Sequence, residues 1–201
     1  MSKTSFLLLK GMRLQPSFSN AATLSYSAKR QNHYDIAIAG GGLVGTAMAC
    51  AVGQNTKLSE KKIILLESSK EQNSAKKIGV GDDYSNRVVS INPGNKSFLE
   101  TLGAWKYISD TRYKVVKKLQ VWDACSDALI TFNDDLVDDV SYIVENNLIL
   151  YALQEICSNY KSNVTVKYES KVKNIQLPSG NKPVALELEN GENCTCDLLV
   201  S

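Results

Sequence analysis

The chain has 201 residues and carries 23 Lys and Arg against 21 Asp and Glu, a formal charge of +2, with its lysines scattered along the sequence. No basic stripe with interleaved aromatics supports nucleic-acid binding, and the longest apolar run is far too short for a transmembrane helix. The length suffices for one well-buried core, or for one domain and part of another.

The chain opens on a segment of different composition. No acidic residue precedes Asp35, while Lys3, Lys10, Arg13, Lys29 and Arg30 are interspersed with serines and with Phe6, Leu7, Leu8, Leu9, Leu14, Phe18 and Leu24. A basic, serine-rich, acid-free leader predicts a mitochondrial transit peptide over residues 1–33, with a disordered tail as the alternative. A secretory signal would need a longer apolar core than residues 6–9, which Lys10 interrupts. The single histidine, His33, lies at the edge of this segment and is expected to be solvated. Ser-His-Asp or Cys-His catalysis therefore has almost no support, and no catalytic residue is assigned.

Residues 34–67 are the most informative stretch. An apolar run, Tyr34-Asp35-Ile36-Ala37-Ile38-Ala39, leads into Gly40-Gly41-Gly42-Leu43-Val44-Gly45. A small-residue segment, Thr46-Ala47-Met48-Ala49-Cys50-Ala51, and a second apolar run, Ile63-Ile64-Leu65-Leu66-Glu67, follow. The order predicts strand, tight turn, helix and strand, with an acid closing the second strand. Gly40 permits the turn, Gly42 has no Cβ to block a pyrophosphate, and Gly45 allows the helix to pack close to the sheet. Phosphates would then meet the unpaired N–H groups and positive dipole end of a helix N-terminus. Glu67 suits the two hydroxyls of an adenosine ribose and disfavours a 2′-phosphate, so FAD or NAD is expected rather than NADP. Glu67 follows Gly40 at more than the usual spacing of about 20 residues, and the polar stretch 55–62 takes up the excess as a longer loop.

Farther along, residues 68–83 read as a polar loop containing Gly79 and Gly81, and residues 84–91 as a turn entering a short strand. Arg87 stands where this segment returns toward the cofactor, in place to hold a pyrophosphate or a substrate anion. An apolar-periodic helix around Phe98, Leu99 and Leu102 is stopped by Gly103. Residues 118–123 and 128–132 alternate as paired strands across a turn, and 133–139 form an acidic loop without the ordered ligands of a metal site. A short strand at 141–144 leads to a helix capped by Asn146 or Asn147, with Ile149, Ala152, Leu153, Ile156 and Cys157 as its core stripe. Strands at 164–168 and 171–177 precede a hairpin, 184–188 and 195–200, turning at Asn190-Gly191 and expected to form a small sheet with one wet face. The five cysteines, Cys50, Cys125, Cys157, Cys194 and Cys196, lack C-x-x-C pairs and are expected to be reduced, structural thiols, with no metal site.

Together, Gly40-Gly41-Gly42-Leu43-Val44-Gly45, Tyr84-Ser85-Asn86-Arg87-Val88, Leu102-Gly103-Ala104-Trp105, Gln120-Val121-Trp122-Asp123-Ala124 and Tyr142-Ile143-Val144-Glu145-Asn146 resemble the class A flavoprotein aromatic hydroxylases. More narrowly, they are similar to the mitochondrial ubiquinone-biosynthesis branch, which hydroxylates ring carbon 5 of a polyprenylated 4-hydroxybenzoate. The resemblance implies an α/β, Rossmann-like FAD-binding domain with the beginning of an inserted antiparallel substrate-binding sheet. It implies FAD contacts from Gly40, Gly41, Gly42, Leu43, Val44, Gly45, Glu67, Arg87 and Asn146. The corresponding division is a leader at 1–33, an FAD/ADP-binding βαβ region at 34–110, the start of the substrate sheet at 111–144, and further FAD-domain elements at 145–201.

By the same resemblance, the partners are other ubiquinone-biosynthesis enzymes and a ferredoxin with its reductase as electron donor. The address is the matrix side of the inner membrane, with peripheral attachment. Family members continue after a strand like 197–200 with a Gly-Ala-Asp-Gly motif, so the resemblance implies an incomplete form whose isolated chain is inactive. An NAD-dependent dehydrogenase, sharing the glycine turn and acid, and a noncatalytic module of a ubiquinone-synthesis assembly remain the competing expectations.

Overall fold

The computed structural model describes residues 32–71, 83–132, 139–180 and 182–201. Residues 1–31, 72–82, 133–138 and 181 lie outside them, and with them most of the leader and parts of the expected polar and acidic loops.

Strand β1 (Asn32–Ala39) enters helix α1 (Leu43–Gln54) through the glycine turn, and β2 (Ile63–Leu66) follows after a short 3-10 turn. All four residues of β2 are buried. Side chains alternate across a strand, so Ile63 and Leu65 enter the core beneath the helices while Ile64 and Leu66 join a second cluster on the other face. A near-continuous apolar run is what a parallel strand covered on both faces requires.

The central segment forms β3 (Val88–Ile91), α2 (Pro93–Leu102), α3 (Ala104–Thr111), β4 (Lys114–Val116), the hairpin β5 (Leu119–Trp122) and β6 (Leu129–Phe132), and β7 (Ser141–Glu145). Gly103, in a left-handed conformation, ends α2 as expected. Helix α3 follows at once, an element the sequence reading lacked, and buries Ala104, Trp105 and Ile108. The antiparallel sheet runs β3-β7-β4, and β5 pairs with β6.

Helix α4 (Asn146–Cys157) carries the expected stripe, with Leu148, Ile149, Ala152, Leu153, Ile156 and Cys157 buried. Its cap differs from expectation. Glu145 is the N-cap and makes no side-chain cap bond, Asn146 is already helical, and Asn147 accepts from the neighbouring Leu148 amide at 3.0 Å. The Glu145 carboxylate is engaged elsewhere, as described below.

The chain ends in β8 (Val164–Lys167), β9 (Val172–Gln176), β10 (Val184–Leu188) and β11 (Asn193–Val200). The last hairpin is not a separate small sheet. β11 pairs with β10 on one side and runs parallel to β1 on the other, giving one six-stranded sheet in the order β8-β2-β1-β11-β10-β9. The cause is burial: Ala37, Ile64 and Leu66 cluster with Val184, Leu186, Leu188, Cys194 and Cys196, so the hairpin completes a core that β1 and β2 begin. His33 is exposed, as expected; it lies within β1, its Nδ1 is 2.9 Å from the Thr195 hydroxyl and its Nε2 3.4 Å from Asp197.

All five cysteines are free, and Cys50, Cys157, Cys194 and Cys196 are buried. Burial pushes the Cys196 thiol up to about 11, so it is an inert packing group at neutral pH. No group of metal-ligating side chains occurs, and no helix is long and apolar enough to cross a membrane, among the described residues.

Candidate dinucleotide site

The site begins where β1 stops. Gly40 has φ of +112°, a region open to glycine, and its N–H donates to the Leu66 carbonyl at 2.8 Å, tying the turn to the end of β2. Gly42 is the N-cap of α1 and no side chain caps that end. The first-turn donors of α1 are thus left without the usual Ser, Thr, Asp or Asn partner.

Gly41, Gly42 and Gly45 have different surroundings. A Cβ at Gly42 would meet nothing within 4 Å, so the space above the helix terminus is open. A Cβ at Gly45 would fall 1.9 Å from the Gly40 carbonyl oxygen and 3.4 Å from Ile38 Cγ2, so the first turn of α1 lies hard against the strand. A Cβ at Gly41 would come within 2.8 Å of the Glu67 side chain. Thr46, buried one position beyond the fingerprint, donates its hydroxyl to the Gly41 carbonyl at 3.0 Å and closes the loop from inside.

Glu67 meets this turn across the sheet edge. The Gly41 N–H donates to its Oε2 at 2.6 Å, and the Ser69 N–H and Ser68 hydroxyl donate to its Oε1 at 2.7 and 3.2 Å. Burial works against the charged form, but these donors outweigh it and hold the carboxyl below its ordinary range. The turn is also fixed from β8: the Glu67 N–H donates to the Lys167 carbonyl, Ser170 N–H to the Glu67 carbonyl and Glu169 N–H to the Ser69 carbonyl, at 2.8, 2.8 and 2.9 Å. A cavity of about 420 Å³ opens here, lined among others by Gly41, Thr46, Glu67, Cys157, Val166 and Tyr168. Its volume is in the range of small-molecule sites.

The other two candidate residues meet at a second point. The Asn146 N–H donates to the Arg87 carbonyl at 3.0 Å, joining the start of α4 to the residue before β3. Arg87 is exposed, and its own N–H donates to the Ser85 hydroxyl at 3.2 Å. No hydrogen bond joins this pair to the glycine turn among the described residues. Leu43 packs partly against the helix-side core, while Val44 is 85 % exposed at the mouth of the turn.

Beneath the Arg87 segment lies an ion pair absent from the sequence reading. Arg112 donates from Nε to Glu145 Oε2 at 2.6 Å and from Nη2 to Oε1 at 3.1 Å, with both side chains nearly buried at 12 % and 6 % exposure. The Ser85 N–H donates to the same carboxylate at 2.5 Å, and Arg112 also reaches the Asp83 carbonyl at 3.1 Å and lies 4.4 Å from the Tyr84 ring centre. The Arg112 guanidinium holds the Glu145 carboxyl below its usual range, assisted by the Ser85 amide and opposed by burial. Arg112 lies 33 positions before Glu145, and no local pattern announces such a pair.

With this geometry in hand, the chain can be placed among known proteins. No family model matches it. It is 47% identical over 138 residues to the human protein named ubiquinone biosynthesis monooxygenase COQ6, mitochondrial, covering 69% of this chain and 29% of that one. To the zebrafish protein of the same name it is 42% identical over 201 residues, covering 96% of this chain and 41% of that one. The chain is a COQ6-like member of the class A flavin hydroxylases. It spans less than half the length of these relatives.

Solved structures agree on the fold. PqsL of Pseudomonas aeruginosa, described as a probable FAD-dependent monooxygenase, superposes with a TM-score of 0.61 at 16% identity, over 84% of this chain and 42% of that one. The p-nitrophenol 4-monooxygenase PnpA of Pseudomonas putida does so with a TM-score of 0.60 at 16% identity, over 84% and 40%. The expected α/β, Rossmann-like architecture is therefore the observed one, shared by this COQ6-like chain and flavin-dependent monooxygenases.

Proposed function

We propose that this COQ6-like chain holds the ADP half of FAD in a monooxygenase of ubiquinone biosynthesis, acting at ring carbon 5 of a polyprenylated 4-hydroxybenzoate. The observation that carries the reading is the open space at Gly42, facing an uncapped helix N-terminus beside a low-pKa carboxylate. Gly42, Leu43, Val44 and Gly45 would receive the pyrophosphate on backbone N–H groups, with Gly40 and Gly41, whose N–H groups donate to Leu66 and Glu67, shaping the turn beside it. Glu67, acceptor-only when ionised, would bind the adenosine ribose through the lone pairs its backbone donors leave free. Arg87 and Asn146 would face the flavin side.

When bound, FAD supplies the oxygen-activating redox chemistry, and the protein positions the ring and excludes water. The β5–β6 hairpin, with Trp122 72 % and Leu129 57 % exposed, would contribute the first apolar surface toward the substrate sheet. A mitochondrial address, with attachment to the matrix face of the inner membrane and dependence on a ferredoxin system and pathway partners, belongs to the same proposal. It is supported by the acid-free leader and the relatives' names.

The ligand reading is tested by thermal unfolding of the chain with added FAD, ADP, NAD or NADP. A ligand that binds only the native state raises the midpoint with its concentration. FAD and ADP are expected to do so and NADP not. A response to NADP equal to that of FAD would overturn the assignment. Fused to a fluorescent reporter, residues 1–31 are expected to direct it to mitochondria, and a wholly cytosolic reporter sinks the targeting proposal.

A further inference from the structure

We infer that Glu145 and Arg112 are positioning residues for Arg87, holding its segment in the place from which it engages the flavin side of the dinucleotide. This rests on the proposed role of Arg87.

The segment before β3 has little apolar anchorage of its own, with Tyr84 80 % and Val88 52 % exposed. It is held instead by polar contacts converging on one carboxylate. Glu145 takes the Ser85 N–H and both arms of the Arg112 guanidinium, and Arg112 in turn takes the Asp83 carbonyl and stacks against Tyr84. One residue further, the Asn146 N–H fixes the Arg87 carbonyl itself. Contacts to residues 83, 84, 85 and 87 thus radiate from the β7–α4 junction and the end of α3, both seated in the helix-side core through Val144, Leu148 and Ile108. A bidentate guanidinium–carboxylate pair fixes orientation as well as distance, which a lysine in place of Arg112 would not reproduce. The ion pair therefore transfers the rigidity of the core to an exposed arginine.

The test compares FAD with ADP on the full chain, because ADP lacks the flavin side. Dissociation constants are measured by fluorescence quenching for wild type, Arg112→Lys, Glu145→Gln, Arg87→Gln and the Arg87→Gln/Glu145→Gln double variant. Wild type is expected to bind FAD more tightly than ADP. Each single variant should weaken FAD by about tenfold, the order of one lost charge-assisted contact, and leave ADP unchanged. The double variant should lose no more than Arg87→Gln alone, since both act through one side chain. Amide exchange at Ser85 should accelerate in Glu145→Gln, and Arg112→Lys supplies the milder lesion should Glu145→Gln unfold. Equal weakening of FAD and ADP, or additive losses in the double variant, would show a merely structural pair and overturn the inference. Wild type binding FAD no more tightly than ADP would instead remove the role of Arg87, and the inference with it.

Discussion

Replacing Gly45 with alanine is expected to lower the stability of the protein by about 3 kcal/mol or more, while replacing Gly42 with valine leaves stability near wild type and removes the response to FAD and ADP. The two glycines lie in one turn, and their surroundings set the outcomes apart. At Gly45 the added Cβ would fall 1.9 Å from a backbone oxygen, and Gly40, which carries that oxygen, is fixed by its bond to Leu66 and by a positive φ. Nothing at the end of a flexible side chain can move aside, so the helix must shift away from β1. That shift would open the packing of Thr46, Ala49 and Cys50, all at 2 % exposure or less. For a chain of this size such a loss lowers the thermal midpoint by roughly 6–12 °C. At Gly42 the backbone is extended, with φ of −72°, and the new side chain meets open space. Valine there obstructs only what would approach the helix terminus. Circular dichroism melts with and without nucleotide separate the two, and a Gly42→Val protein that still responds to FAD defeats the pyrophosphate assignment.

The same turn shows why this part of the fold was legible from sequence. Strand, glycine turn, helix and second strand are each set by neighbours within a few residues, and the apolar runs of β1 and β2 are long enough to require burial on both faces. The glycine spacing then reports a tight turn, seen in the positive φ of Gly40, and a close approach, seen at Gly45. What sequence did not give was set by distant partners. The pairing of β11 with β1 joins residues about 160 positions apart, and nothing in an alternating hairpin distinguishes an added sheet from the extension of an existing one. The helix cap failed for a similar reason: asparagine is the better N-cap by propensity, but Glu145 takes the position, its carboxylate held by the guanidinium of Arg112, the residue just past α3. Thr46 carried a weak signal, a β-branched polar residue just inside a glycine turn, and is read correctly only once its bond to Gly41 is seen.

Glu67→Gln is expected to weaken FAD and ADP by about tenfold or more and to change how stability depends on pH. The native carboxylate accepts from Gly41 N–H, Ser69 N–H and the Ser68 hydroxyl, and these donors keep its pKa below the unfolded value of about 4.3. A group with a lowered native pKa contributes stability above the unfolded pKa and loses it as pH falls through the native one. Wild type should therefore melt above Glu67→Gln at pH 7, and the gap should narrow as pH falls below the unfolded value of about 4.3 and close as it passes through the lower native one. The carboxamide has one acceptor oxygen instead of two, and its NH₂ turns a donor toward either Gly41 or Ser69, so one backbone N–H loses its partner. Ribose hydroxyls, which donate to a carboxylate, meet the same deficit, and this places the loss on ADP and FAD alike. Removing the negative charge also lifts the barrier to a 2′-phosphate, so binding of NADP relative to NAD should rise in the variant. A variant that keeps wild-type ADP affinity at pH 7 would place the ribose elsewhere, whereas one whose melting gap persists unchanged at pH 3 would show that the stability effect comes from packing and not from charge.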